Sequence, residues 1–224
     1  MDTKTKIQNH LKESSQVYQQ MIDTCWVPIQ QAALLLVETY FKNGGTVFTC
    51  GNGGSAADAQ HISDELMCML RKDHTFEYRF PLSAHTLTTD ASVITAIAND
   101  LGFDYIFSRQ LEALVQTKDL LIGLSTSGNS ENVVKAFELT KKRGIKSIAF
   151  TGQSSTKEGG KIAQLADVVI NIPAKDVAII QQGHVAAFHS MCDVMEEILF
   201  GNRGLKITPI KPWPLLAKLP VVLV

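Results

Sequence analysis

A chain of 224 residues with 45% apolar side chains can bury one sizeable core or two small ones, and one α/β domain with helical additions is the economical expectation. Its formal net charge of -1 speaks against a nucleic-acid or membrane-surface binder. The opening M-D-T-K-T-K-I-Q-N-H lacks the apolar stretch of a signal peptide, and no uncharged apolar run of about 18 residues follows.

Four cysteines, Cys25, Cys50, Cys68 and Cys192, stand far apart without a C-x-x-C pair. That pattern indicates neither a zinc knuckle nor a disulfide framework, and a cytoplasmic chain with buried thiols is expected. From residue 3 to 41 the periodicity is helical, broken near Cys25-Trp26-Val27-Pro28, where the proline suits the first turn of a second helix. Gly44-Gly45 stops it. A doubly wound sheet has no need of this N-terminal helical pair, residues 1–43, so it is expected to pack against another subunit.

Thr46 to Cys50 reads as a short buried strand running into Gly51, Asn52, Gly53 and Gly54. A helix then begins, with Ser55 or Asn52 as its cap, and a glycine-rich turn ahead of a helix attracts an anion through free N–H groups and the helix dipole. His61 and Glu65, four residues apart, share one face of that helix. Arg71 to Pro81 is a charged, aromatic loop, residues 84 to 87 a short strand, and Thr88-Thr89-Asp90 a cap for a helix ending near Asn99-Asp100-Leu101-Gly102. Phe103 to Val115 is expected to form another helix.

The run L-L-I-G-L is a clean buried strand leading into S-T-S-G-N-S, Ser125 to Ser130, and a helix to about Arg143. A strand at I-K-S-I-A-F, a loop to Gly159-Gly160, a short helix and the strand D-V-V-I-N-I follow, and Val177 to Phe200 is a long helix carrying Gln181, His184 and His189. Residues 202–224, with Pro209, Pro212, Pro214 and Pro220, read as an extended arm. The alternation predicts a doubly wound parallel sheet of about five strands flanked by helices, spanning residues 44–201, with ligands at the carboxyl ends of the strands.

Ser125, Thr126, Ser127 and Ser130 put four hydroxyls beside a helix start, an arrangement suited to a phosphate. The absence of a lysine there argues against a nucleotide P-loop and for a small phosphorylated metabolite. Gly51, Gly53 and Ala56 fit the loosest dinucleotide spacing, but no acidic residue ends a strand about 20 residues on, so no nucleotide cofactor is expected. His61, Glu65, Gln181 and His189 suit either proton transfer or metal binding, with zinc a plausible ion. Gln181 and His189 are separated by about 12 Å of helix rise, which calls for a bend or a neighbouring subunit if both are to converge. His184 reads as a core histidine.

Together, G-N-G-G-S-A-A-D-A-Q-H with Glu65, A-N-D-L-G-F-D-Y-I-F-S-R-Q-L-E-A-L, S-T-S-G-N-S-E-N-V-V-K-A and I-Q-Q-G-H-V-A-A-F-H resemble the SIS-domain phosphoheptose isomerases over about residues 30 to 200. The resemblance implies a SIS-type sheet and a cytoplasmic homotetramer with shared sites. It implies an enzyme that interconverts sedoheptulose 7-phosphate and D-glycero-D-manno-heptose 7-phosphate for lipopolysaccharide or capsule heptose. Glu65 then corresponds to the base and His189 to the acid, and His61, Glu65, Gln181 and His189 to a zinc set. The substrate positions are Asn52, Gly53, Gly54, Ser55, Glu65, Asn99, Asp100, Ser125, Thr126, Ser127, Ser130 and Gln181. Where the family has an arginine after the glutamate this chain has Met69, with Arg71 and Arg79 as candidate replacements. The same fold also serves a non-catalytic protein that associates with the bacterial replication initiator, which generally lacks the counterparts of Glu65 and His189, and sugar-phosphate sensors.

Overall fold

The computed structural model describes residues 2–71 and 79–201. The expected arm from residue 202 and most of the loop between Arg71 and Pro81 lie outside the described residues. Two helices open the chain, α1 (Thr3–Thr24), capped by the Asp2 carboxylate, and α2 (Trp26–Val37), with Pro28 in its first turn and a π-helical turn (Glu38–Lys42) after it. Strands and helices then alternate: β1 (Val47–Gly51), α3 (Gly54–Met67), β2 (Ala84–Thr86), α4 (Ala91–Asp100), α5 (Ser108–Leu114), β3 (Leu120–Leu124), α6 (Glu131–Arg143), β4 (Lys146–Gly152), α7 (Gly160–Leu165), β5 (Val168–Ile172) and α8 (Val177–Phe200).

The five strands are all parallel, in the order β2-β1-β3-β4-β5, with Val47 opposite Leu120 and Gly51 opposite Leu124 where β1 meets β3. Strands β1 and β3 are buried along their whole length because helices cover both faces, which is why their sequences read as apolar runs interrupted only by Thr49, whose hydroxyl donates to the Ala59 carbonyl. Ile122, Leu124, Ile148 and Phe150 point to a core completed by α2, α3 and α8. Phe48, Leu121 and Ala149 point to the other, completed by α5 and α6. Among the described residues no helix is long and apolar enough to cross a membrane.

Three local expectations fail. Cys25, Cys50 and Cys192 are buried as expected, but Cys68, at the end of α3, is exposed. The stretch expected as one helix from Phe103 to Val115 is a 3-10 turn over Phe103–Tyr105 followed by α5 from Ser108. Ile106 and Phe107 bury themselves in the core while Phe103 and Tyr105 stay exposed, so the chain turns inward before the helix starts. Neither Ser55 nor Asn52 caps α3. Its N-cap is Gly53 at φ 54, a left-handed geometry that favours glycine. Ser55 is already inside the helix and buried, and Asn52 is bonded elsewhere.

Candidate active site

Strand order reverses between β1 and β3, with β2 to one side and β4 and β5 to the other. The helices leaving them diverge, α3 to one face of the sheet and α6 to the opposite face. A crevice opens at the carboxyl ends of two strands related in this way, and doubly wound sheets bind ligands there. The two turns expected to hold phosphate, residues 51–55 and 125–130, are its walls.

The crevice is held together across its floor. Asn52 Nδ2 donates to Asn132 Oδ1 at 2.8 Å, and Asn132 Nδ2 donates back to Asn52 Oδ1 at 2.9 Å. Asn132 Oδ1 also accepts from the Val133 N–H at 2.9 Å, in the first turn of α6. On the β3 side the Ser125 hydroxyl lies 3.0 Å from that of Ser130 and 3.4 Å from that of Ser127. Thr126 sits in the same turn, its carbonyl accepting from the Ser154 hydroxyl. Gly54 lies against the Gln181 amide so closely that a Cβ would overlap it.

Helices α3 and α8 run side by side in the same direction. Gly54 meets Gln181 at one end, His61 and Glu65 meet His189 midway, and Leu70 and Arg71 meet Asp193 and Glu196 at the other. At the midpoint three donor atoms converge. His61 Nε2 is 3.0 Å from Glu65 Oε1 and 3.3 Å from His189 Nε2, which is itself 3.6 Å from Glu65 Oε1. Phe188 packs edge-on against the His61 ring at 5.0 Å. The two imidazoles are 39% and 37% exposed and the carboxylate 13%, so the cluster is reachable from solvent while Glu65 is largely enclosed.

Burial pushes the His189 pKa below the ordinary histidine value, and a charged His61 beside it pushes the same way, with only Glu65 opposing. The neutral imidazole is thereby favoured, which is the form that ligates a metal. Two imidazole nitrogens and a carboxylate oxygen within 4.8 Å of one another form a possible metal-binding triad. One turn before His61, burial raises the Asp58 carboxyl to about 6, with His61 opposing, and leaves its Oδ2 without a hydrogen-bond partner.

His61, Glu65 and His189 are thus brought together, and so are Asn52, Gly53, Gly54, Ser125, Thr126, Ser127 and Ser130 at the crevice. Gln181 joins the second group through Gly54. Asn99 and Asp100 sit at the exposed carboxyl end of α4, where Asn99 Nδ2 donates to Asp100 Oδ1 at 2.7 Å. Expected to be a core residue, His184 is fully buried, with Nε2–H donating to the Thr151 carbonyl at 3.1 Å.

Asn132 was not singled out from the sequence, although it stands two residues beyond the serine turn. Its signal is its place in the first turn of α6, where an amide can serve the helix start and a neighbouring loop at once. Of the two arginines set against Met69, Arg71 lines a depression of about 320 Å³ with Leu70, His189, Ser190 and Asp193, and its guanidinium makes a bidentate pair with Asp193 at 2.7 and 2.9 Å. Arg79 is buried and faces backbone carbonyls and Glu196.

A family model for the SIS domain matches residues 9–152. The chain is 43% identical over 196 residues to the phosphoheptose isomerase of Trichlorobacter lovleyi, an alignment covering 88% of this chain and 93% of that one. It is similar to the solved structure of phosphoheptose isomerase GmhA from Neisseria gonorrhoeae, with a TM-score of 0.78 at 39% identity, and to that of a phosphoheptose isomerase from Francisella tularensis, with a TM-score of 0.79 at 34% identity. Each match covers 88% of this chain and 100% of the other.

Proposed function

The chain belongs to the SIS-domain phosphoheptose isomerases, and from that premise we propose that it interconverts sedoheptulose 7-phosphate and D-glycero-D-manno-heptose 7-phosphate for heptose synthesis. The observation that carries this reading is the convergence of Glu65 and His189, 124 positions apart in the sequence, from two different helices. An aldose-ketose shift moves one proton between adjacent carbons and one between their oxygens. Glu65 takes the proton from the carbon beside the carbonyl, leaving an ene-diolate, and a protonated His189 delivers a proton to the neighbouring carbon. The hydroxyl proton passes from one oxygen to the other. Each turnover leaves Glu65 protonated and His189 without its proton, and exchange through water, which reaches the partly exposed His189, returns both to their starting states.

The phosphate is assigned to the crevice walls. Ser125, Ser127, Ser130 and the first turn of α3 offer hydroxyl and N–H donors to an anion, and Asn52, Thr126 and Gln181 border them. Ser55 contributes from within α3 through its backbone. Asn99 and Asp100 are assigned to substrate on the resemblance alone.

The triad is assigned to zinc, which would be held through Glu65 Oε1 and His189 Nε2 and would leave Glu65 Oε2 and His189 Nδ1 for the proton transfers. Tetrahedral zinc with bonds of 2.0–2.1 Å separates its ligand atoms by about 3.3 Å. The three observed separations of 3.0, 3.3 and 3.6 Å bracket that value. Gln181 is the proposed fourth ligand of the set, although its amide lies at Gly54, so it reaches the ion only by a change of side-chain position or across a subunit boundary. Bound zinc would polarise the carbonyl and hydroxyl oxygens of the substrate.

Self-association as a homotetramer is proposed on an exposed apolar stripe. Ile7, Leu11, Tyr18 and Ile22 are exposed on α1. At about 100° per residue they fall within an arc of about 60°, beside the buried Ser14, Val17 and Met21. Free cysteines accord with a cytoplasmic location. Incubation with sedoheptulose 7-phosphate, other ketose phosphates alongside, tests the activity. Conversion of the heptulose in preference to the others is expected, and binding without turnover by the zinc-loaded protein would replace the enzyme by a sensor.

A further inference from the structure

Glu65 and His189 stand on different helices, and a contact outside the triad governs the gap between them. Helix α3 ends at Met67, two residues past Glu65, with Cys68 as its C-cap, leaving carbonyls of its last turn to be satisfied from elsewhere. Arg79 satisfies two of them. Its Nη2 donates to the Glu65 carbonyl at 2.6 Å and its Nη1 to the Leu66 carbonyl at 3.0 Å. Its Nε donates to Glu196 Oε1 at 2.8 Å.

Glu196 lies on α8 seven residues after His189, on the same face. Its carboxylate also accepts from the Leu70 N–H at 3.0 Å and the Arg71 N–H at 3.2 Å. Both side chains of the Arg79–Glu196 pair are 3% exposed. One buried guanidinium therefore joins the peptide of Glu65 to the helix that carries His189.

We propose that Arg79 and Glu196 are positioning residues for the isomerisation, fixing α3 against α8 so that Glu65 and His189 hold their spacing. The proposal rests on those two residues handling the proton. A buried ion pair is a poor device for stability alone, since apolar residues of similar volume often serve as well or better. What it supplies is direction. The planar guanidinium has donors pointing three ways, onto the last turn of one helix and the side chain of another, and neither lysine nor an apolar residue reproduces that fork.

The test compares Arg79→Lys, Glu196→Gln and the double variant Arg79→Met/Glu196→Met with the parent in the full chain. Expected is a kcat lower by about ten- to a hundredfold and a zinc affinity, read by chelator competition, lower by a similar factor. KM should change less than about threefold, because substrate contacts are untouched. The double variant leaves no unpaired buried charge: by circular dichroism it should fold, with a lower melting temperature because the backbone groups served by the pair lose their partners, and still show both losses. Parental kcat and zinc affinity in a folded double variant would overturn the positioning role. Parental turnover in Glu65→Gln would instead overturn the chemical assignment, while zinc affinity in the Arg79 variants would continue to report the spacing.

Discussion

Asn52 and Asn132 exchange two amide hydrogen bonds, at 2.8 and 2.9 Å, between the turn after β1 and the start of α6. The width of the switch-point crevice is thereby fixed before a ligand arrives, which lowers the ordering cost of binding. Asn132→Ala leaves Asn52 without its partner and removes the acceptor of the Val133 N–H. A stability loss of about 1–3 kcal/mol is expected, with KM raised about tenfold. Thermal melting and initial-rate kinetics check both, and an unchanged KM would mean that other contacts set the crevice.

Glu65→Gln keeps the shape of the side chain and removes the proposed base, and His189→Ala removes the proposed acid. Each should lower turnover by about two to four orders of magnitude, the usual scale for a lost acid or base. Circular dichroism on the same samples separates lost chemistry from lost fold, and near-parental rates would reject the roles assigned.

Protein purified without added metal should contain zinc at one ion per chain, as read by elemental analysis. His61→Ala should lose it, because three donor atoms fall to two. Chelation should abolish activity and zinc should restore it. Chelator-insensitive turnover by metal-free protein would remove zinc from the reaction.

His184 supplies a pH dependence of stability. Burial depresses its pKa to about 4, from an ordinary value of 6.5, with the bond to Thr151 opposing. The unfolded chain therefore binds this proton at a higher pH than the folded one. Its contribution is fully present above about pH 6.5 and is lost as pH falls toward 4, by up to about 3 kcal/mol. Gln at this position can still donate to the Thr151 carbonyl without titrating, so His184→Gln should show a shallower decline in denaturant stability between pH 7 and 4.5. Equal slopes would show that His184 does not carry the effect.

Legible in the chain itself were the elements whose signals are local. β3 reads as L-L-I-G-L because both its faces are covered, and α4 begins at Ala91 because the Asp90 carboxylate accepts from the Val93 N–H. The doubly wound order followed from the alternation, and that order alone put both turns at one edge. The triad was only half readable: spacing on one face gives His61 with Glu65, whereas His189 could be set beside them by residue type but no local signal showed that α8 would bring it there. Pairings between distant residues left no trace. Nothing around Arg79 announces a partner 117 positions away, and Asn132 looks like one more polar residue at a helix start. The expected caps for α3 failed because a positive-φ glycine already begins that helix.

The side-by-side course of α3 and α8 has a consequence for how the protein comes into being. Two of the three donor atoms belong to α3, made before four of the five described strands, and the third to α8, made after all five have emerged. A nascent chain halted at residue 176 holds all five described strands and both turns proposed to bind phosphate, yet only two of the three donor atoms. Capture of the ion would therefore coincide with docking of α8 rather than with closure of the sheet, and metal uptake would serve as a clock for the final step of maturation.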